Sequence, residues 1–182
     1  MLETIRIKKQ LKRVFKRMSF MDYLIRKMKK RDMKQVQDVA KTSWSATYEG
    51  IIPIDIQERF LKTVYSKQNL KWRLKNTTFF VAEINHRIVG FANFFQVPES
   101  GRVELGAIYI YPEYQGAGIG TAFLRAGIDQ FGLRELHLNV EKNNQIGMNF
   151  YHAKGFEVVA EYDDNLEGHM LNTVRMVLRL GK

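Results

Sequence analysis

The 182-residue sequence contains no cysteine, only three prolines and two tryptophans, and no long apolar run. The absence of cysteine excludes a disulfide framework and a thiol nucleophile, and it removes the softest metal ligands. No apolar segment is long enough for a membrane span or a signal peptide, so neither is predicted and we expect a cytoplasmic location. Because no Pro- or Ser-rich linker interrupts the chain, the sequence predicts one globular domain.

Acidic residues are scarce at the N-terminus. Residues 1–31 hold twelve of the 29 Lys and Arg residues and only two of the 19 acidic residues, so the net charge of +10 lies there and the remainder is neutral. A basic amphipathic helix that contacts anionic lipid or nucleic acid is one interpretation of this segment. We favour a basic extension over residues 1–20 that precedes one domain over 21–182, and expect no nucleic-acid partner.

The most informative pattern is a strand, a glycine-rich turn and the start of a helix. A run of β-branched and aromatic residues predicts a strand over 102–111, and apolar residues three to four positions apart predict a helix from about residue 119. The turn between them contains Gly116, Gly118 and Gly120. Glycines let the backbone approach a ligand closely, and the free N–H groups that begin a helix attract an anion.

Three kinds of phosphate-binding loop share this layout. A dinucleotide loop, G-x-G-x-x-G, requires glycine where the sequence has Thr121, and a nucleotide P-loop requires a lysine that the turn lacks. The pattern that fits is Gln-x-x-Gly-x-Gly, at Gln115, Gly118 and Gly120.

A second motif follows about thirty residues downstream, after a predicted strand over 134–140. It reads Asn-x-x-Gly-x-x-Phe-Tyr-x-x-x-Gly-Phe from Asn144 to Phe156. Together the two motifs resemble the coenzyme A loop and the downstream motif of the Gcn5-related N-acetyltransferase (GNAT) family. The downstream motif of that family usually has alanine at the position of Gly147. The segment from Trp44 to Pro53 resembles a branch of polyamine and uncharacterised small-molecule acetyltransferases.

The predicted element order is β-α-α-β-β-β-α-β-α-β-β, with a polar helix or loop around residues 70–76. It predicts an α/β fold of the α+β type. The resemblance implies a GNAT-like mixed, mostly antiparallel twisted sheet of about seven strands flanked by about four helices. Strands 102–111 and 134–140 would have to splay to admit a ligand, which periodicity alone does not establish.

The resemblance also implies roles for individual residues. Tyr151 would protonate the coenzyme A sulfur, and Glu104 would be the general base, directly or through water. Asn144 would contact the pantetheine arm or cap a helix, and the backbone N–H of Ile108 or Ile110 would polarise the acetyl carbonyl. The residues expected to bind acetyl-coenzyme A are Ile108, Tyr109, Ile110, Gln115, Gly116, Ala117, Gly118, Ile119, Gly120, Thr121, Asn144 and Tyr151.

The implied function is transfer of an acetyl group from acetyl-coenzyme A to a primary amine of a small molecule, with a polyamine as one candidate, by direct attack in a ternary complex. The alternatives are a protein N-terminal or lysine acetyltransferase and a non-catalytic module that binds or senses coenzyme A. No two of the four histidines show metal-ligand spacing, so no metal is expected. Homodimers are common in such folds, but no residue pattern specifies one.

Overall fold

The computed structural model describes residues 22–181, so the basic extension predicted over residues 1–20 lies outside the described residues. The strands are β1 (Leu24–Lys27), β2 (Thr78–Ile84), β3 (Arg87–Gln96), β4 (Val103–Ile110), β5 (Glu135–Glu141), β6 (Glu157–Leu166) and β7 (His169–Arg179). The α-helices are α1 (Met33–Tyr48), α2 (Ile54–Val64), α3 (Lys67–Asn76), α4 (Ile119–Phe131) and α5 (Gln145–Ala153). The predicted element order is confirmed, and the segment left as a helix or loop is the helix α3.

The seven strands form one sheet in the order β1-β2-β3-β4-β5-β7-β6. Every neighbouring pair is antiparallel except β4 and β5, which are parallel. Within the described residues, β4 and β5 pair at only two positions, Glu104 with His137 and Leu105 with Leu138. Beyond these pairs the two strands diverge. The splay, which periodicity alone could not establish, is therefore present.

Helices cover both faces of the sheet at β3. Its residues from Ile88 to Phe94 are all buried, which is why this segment is a nearly continuous apolar run. Asn93 accepts a hydrogen bond from Arg73 of α3, at 2.7 Å, on one face. The next residue, Phe94, lies on the other face against Gly127 of α4, where its ring leaves no room for a β-carbon. The domain is therefore three layers, with the sheet between two groups of helices.

The side chain at the N-cap of α1 has another role than capping the helix. Asp32 occupies the N-cap position, but its carboxylate does not cap the helix. It accepts hydrogen bonds from both terminal nitrogens of Arg26, at 2.6 and 3.0 Å, and from the backbone N–H of Lys29, at 2.7 Å. For this carboxylate the Arg26 cation is a stronger partner than the N–H groups of the helix, because charge-assisted hydrogen bonds are stronger than neutral ones.

Candidate active site

A cavity of about 490 Å³ lies where β4 and β5 diverge. Two of the twelve predicted acetyl-coenzyme A contacts are not among its lining residues: Ile119 points into the hydrophobic core, and Ala117 packs against that core. The other ten line the cavity: Ile108, Tyr109, Ile110, Gln115, Gly116, Gly118, Gly120, Thr121, Asn144 and Tyr151. The structure therefore brings both sequence motifs to one site.

The end of β4 presents backbone groups to this cavity. The backbone N–H of Tyr111 donates to Val89 of β3, at 3.0 Å. Because successive residues of a strand point their N–H and C=O groups in opposite directions, those of Ile108 and Ile110 face the gap towards β5. The carbonyl oxygen of Ile110 accepts hydrogen bonds from Ser43, at 3.1 Å, and from Gln115, at 3.2 Å.

The three glycines of the turn are required for different reasons. Gly116 and Gly118 have φ angles of +75° and +84°, in the left-handed region that side chains disfavour. Gly120 is already helical, and a β-carbon there would lie 2.9 Å from the ring of Phe150. The first helical bond of α4 joins the Ala122 N–H to the Gly118 carbonyl, so the preceding N–H groups have no acceptor within the helix. They leave a partial positive charge at the cavity.

The second motif supplies a helix cap and a phenol. The side chain of Asn144 accepts a hydrogen bond from the Gly147 N–H at 2.9 Å, so Asn144 caps α5 as well as lining the cavity. A β-carbon at Gly147 would lie 2.8 Å from the amide nitrogen of Asn144, so the family's usual alanine would require the end of this side chain to shift. Gly147 therefore leaves room for the Asn144 side chain in its capping position.

Tyr151 is only 8% exposed, and its ring lies 5.4 Å from the rings of Phe150 and Phe156. Burial raises the pKa of Tyr151 well above its ordinary value, and the neighbouring Tyr48 raises it further. Burial likewise raises the pKa of Tyr109. These phenols therefore stay protonated, and can donate a proton, throughout the neutral pH range.

The acetyltransferase (GNAT) family model matches residues 33–156, which include the glycine-rich turn and the whole second motif. The chain belongs to the GNAT acetyltransferase family.

Named GNAT relatives cover most of the chain. A spermidine N(1)-acetyltransferase of Thermoplasma acidophilum is 29% identical over 143 residues, which span 74% of this chain and 88% of that protein. The N-acetyltransferase YuaI of Bacillus subtilis is 31% identical over 159 residues, which span 82% of this chain and 89% of that one. Both are named as N-acetyltransferases, as expected for the family.

A crystal structure of the PaiA N-acetyltransferase from Thermoplasma acidophilum, in complex with coenzyme A, has the same fold. It superposes with a TM-score of 0.75 at 26% identity, covering 88% of this chain and 100% of that one. The GNAT fold inferred from the sequence, with its mixed and mostly antiparallel sheet, is thus confirmed.

Glu104, the predicted GNAT general base, is not among the residues that line the cavity. It lies on β4 where the strand still pairs with β5, and it is 7% exposed. Its carboxylate accepts hydrogen bonds from Arg102, at 2.9 and 3.0 Å. The structure therefore brings Tyr151 to the cavity but not Glu104, whose catalytic role stays a prediction.

The sequence motifs did not identify several residues of the site. Ser43 and Thr47 of α1 line the cavity, although no pattern distinguishes them from other helix residues. Glu141, at the end of β5, is not a lining residue, but it is buried close to the site and accepts hydrogen bonds from the backbone N–H and the side chain of Asn143, at 2.7 and 2.9 Å. Burial raises the pKa of Tyr48, and the charge of the Glu141 carboxylate adds a smaller effect in the same direction. A glutamate after a strand ordinarily indicates an exposed turn.

Residues 22–181 contain no group of three or more His, Asp or Glu side chains arranged to hold a metal ion. No helix in this described range is both long and apolar enough to cross a membrane.

Proposed function

We propose that this GNAT protein transfers the acetyl group of acetyl-coenzyme A directly to a primary amine of a small molecule, with polyamines as the first candidates. The observation that carries the proposal is the cavity at the splay, which joins the glycine-rich turn, the exposed backbone of β4 and Tyr151. The spermidine N(1)-acetyltransferase among its relatives supports the choice of acceptor.

The residues present fit the donor. The N–H groups that begin α4, with Gly116 and Gly118 beside them, suit the pyrophosphate, because a helix N-terminus attracts anions and neither glycine has a side chain of its own that would block the approach. The backbone groups of Ile108 and the N–H of Ile110 suit the amides of the pantetheine arm, since they face the gap where β5 has diverged. Acetyl-coenzyme A supplies the activated acetyl thioester when bound.

Side chains and backbone groups of the protein then assist the acetyl transfer by donating and accepting protons and by polarising the acetyl carbonyl. Tyr151, held in the protonated form by burial, donates to the departing sulfur. The backbone N–H of Ile108 or Ile110 polarises the acetyl carbonyl. An alkylammonium with a pKa near 10.4 is neutral for only about one part in 10³ at pH 7, so a base accelerates attack. Glu104 is the predicted base and, since it does not line the cavity, we propose that it acts through water.

The negative charge of the β6–β7 hairpin favours a cationic acceptor. Residues 161–172 of the β6–β7 hairpin contain four carboxylates and no Lys or Arg, and one of the four, Glu161, forms an ion pair with Lys142 at 2.6 Å. Leu166 and Leu171 hold this hairpin against a cluster that includes Trp44 and Tyr48 of α1. The hairpin therefore lies beside α1, and its carboxylates, which do not line the cavity, would attract a protonated amine at longer range.

Thiol release from acetyl-coenzyme A, measured against polyamines, amino acids, aminoglycosides and peptides, tests the proposal. We expect release with polyamines and little with peptides. Release with peptides alone would replace the proposed acceptor by a protein N-terminus or lysine. Tight coenzyme A binding without release from any acceptor would favour a sensing module. A homodimer stays a prediction, which analytical ultracentrifugation tests.

A further inference from the structure

Positive charge is concentrated on one part of the domain. Residues 59–82 contain six Lys and Arg residues and no Asp or Glu, although residues 32–182 as a whole are neutral. The helix α3 (Lys67–Asn76) lies in the middle of this stretch. Nothing in the two GNAT motifs accounts for a stretch of this length without an acidic residue.

The exposed side of α3 carries a row of lysines. Lys67, Lys71 and Lys75 are four residues apart, so they lie one turn above another on the same side of the helix. All three are exposed, and none forms an ion pair with another of the residues 22–181. Three such cations within about 12 Å along one helix produce a positive potential that attracts an anionic partner.

A tryptophan lies beside this row. Trp72 is 62% exposed, whereas Trp44, the other tryptophan of the chain, is 4% exposed. Trp72 follows the buried Leu70 by two residues, which is about 200° around the helix, so its ring points away from the core. The indole therefore contributes little to the packing of the domain and is available to a partner.

The helix that presents these side chains is held firmly in the fold. Ser66 caps α3 by accepting a hydrogen bond from the Asn69 N–H at 3.1 Å. On the inner side, Arg73 donates to the buried Asn93 of β3 at 2.7 Å. The lysine row and the indole thus keep fixed positions on the surface, and a partner does not have to order the helix.

The chemistry and shape of this surface favour a lipid membrane over a nucleic acid. Proteins that bind single strands use a positively charged groove with several stacking rings. No residue of α3 lines the active-site cavity or the cavities of about 910 and 450 Å³ elsewhere in the described domain, and the helix presents a single aromatic ring. One indole beside a row of lysines on a protruding helix suits the headgroup layer of an anionic bilayer, where a ring with an apolar body and a polar N–H is stable.

We propose that the exposed face of α3, formed by Lys67, Lys71, Trp72 and Lys75, docks the protein on an anionic lipid membrane. The lysines lie at the headgroup phosphates, and the indole lies among the headgroups. The contact is peripheral, because ten residues of helix are too few to cross a bilayer. The inference does not depend on the proposed acetyl transfer.

Co-sedimentation of the full-length protein with lipid vesicles tests the inference. The vesicles contain either equal parts of phosphatidylglycerol and phosphatidylcholine or phosphatidylcholine alone. The variants are K67Q/K71Q/K75Q and W72A. The matched control is K30Q/K34Q/K41Q, which removes the same number of charges from exposed lysines before and along α1. Thermal melts establish that each variant is folded.

We expect the wild type to bind the anionic vesicles and not the neutral ones, and to be released by added salt, because salt screens surface charges. K67Q/K71Q/K75Q should bind about a hundredfold more weakly, since each lysine near an anionic surface contributes roughly a factor of five. W72A should bind about tenfold more weakly because it loses the buried ring. The control should stay within about threefold of the wild type, because its lysines lie away from the contact.

Tryptophan fluorescence provides a second readout in the same vesicles. Because Trp44 is buried, quenching by brominated lipids reports on Trp72. We expect strong quenching in the wild type and little in W72F, which retains only Trp44.

Equal binding of anionic vesicles by K67Q/K71Q/K75Q and by the control would overturn the inference and assign any membrane binding to the basic residues 1–20. An unquenched Trp72 in the vesicle-bound protein, or no binding to anionic vesicles at all, would also overturn it. Binding of a single-stranded oligonucleotide that K67Q/K71Q/K75Q abolishes, without vesicle binding, would replace the membrane by nucleic acid as the partner of α3.

Discussion

Replacing Tyr151 by Phe removes one hydroxyl from the candidate active site and leaves the ring contacts with Phe150 and Phe156, at centroid distances of 5.4 Å. If the hydroxyl protonates the departing sulfur, the variant should lose a factor of about 10² to 10⁴ in kcat, the usual value of a general acid. Because the ring stays in place, the free energy of unfolding should change by only about 1 kcal/mol or less.

The pH dependence follows from burial. The pKa of Tyr151 lies well above its ordinary value, because burial disfavours the phenolate. The hydroxyl therefore stays in its donor form up to at least about pH 10, the ordinary value for a tyrosine. Between pH 6 and 9 the ratio of the wild-type kcat to that of Tyr151→Phe should thus be constant, because the titrations of the base and the amine affect both enzymes alike and cancel in the ratio.

Steady-state kinetics with spermidine over this pH range, together with the Kd for coenzyme A, measure both effects. Tyr162→Phe is the control, since Tyr162 lies on β6, outside the cavity lining, and loses the same hydroxyl. We expect the Kd for coenzyme A to change little in either variant. A kcat for Tyr151→Phe equal to that of Tyr162→Phe at every pH would refute the acid role and leave Tyr151 as a packing residue.

Three further predictions concern the base, the loop and the fold. Glu104→Gln should lower kcat/KM most at low pH, where little amine is neutral, and a uniform loss across a pH series would contradict its role as a base. Gly118→Glu places a side chain at a φ of +84° and a negative charge where an anion would bind. Coenzyme A affinity should therefore fall sharply in titrations while the fold survives. Unchanged affinity would reject the loop assignment. Asp32→Asn should destabilise the protein by about 2 kcal/mol at pH 7, because the charge-assisted hydrogen bonds from the partly buried Arg26 are weakened although Arg26 keeps Glu83 as a partner. Burial alone would raise the pKa of Asp32, but hydrogen bonds from Arg26 and the Lys29 N–H lower it overall. The stabilisation is therefore present above about pH 4, the ordinary value for an aspartate, and is lost as the pH falls through the lowered pKa of the folded protein. Urea titrations at pH 7 and pH 3 would show this loss.

The glycine-rich turn and the second motif could be predicted because their information is local. A turn with two left-handed residues needs glycine, and a helix whose N-cap accepts from the third residue needs Asn or a similar side chain. The strand and helix on either side of the turn follow from periodicity. Ile119 shows the limit of a motif: its position in the loop suggested a contact with acetyl-coenzyme A, but the apolar face of α4 turns its side chain into the core.

The residues that the sequence could not identify depend on packing between distant elements. Ser43 reaches the cavity because α1 lies across the end of β4, and its hydroxyl donates to Ile110, 67 residues further along the chain. Gln57 is polar and occupies a helix position that an isolated sequence would assign to solvent. It is buried because the α1–α2 turn folds back over it. The helix α3 was ambiguous for a related reason, since Leu70 is its one buried residue.

The splay of β4 and β5 explains why these separate elements meet at one site. Two parallel neighbouring strands that stopped pairing would leave backbone groups unsatisfied in a buried sheet, which is unfavourable. At Ile110 the side chains of Ser43 and Gln115 take the place of the missing strand by donating to its carbonyl oxygen. They satisfy the acceptor and leave the gap open, so a ligand that carries amides can pair with the rest of the exposed edge of β4. We infer that α1 and the glycine-rich turn stabilise the open sheet as well as lining the cavity. The gap between β4 and β5 is then already present before a ligand binds.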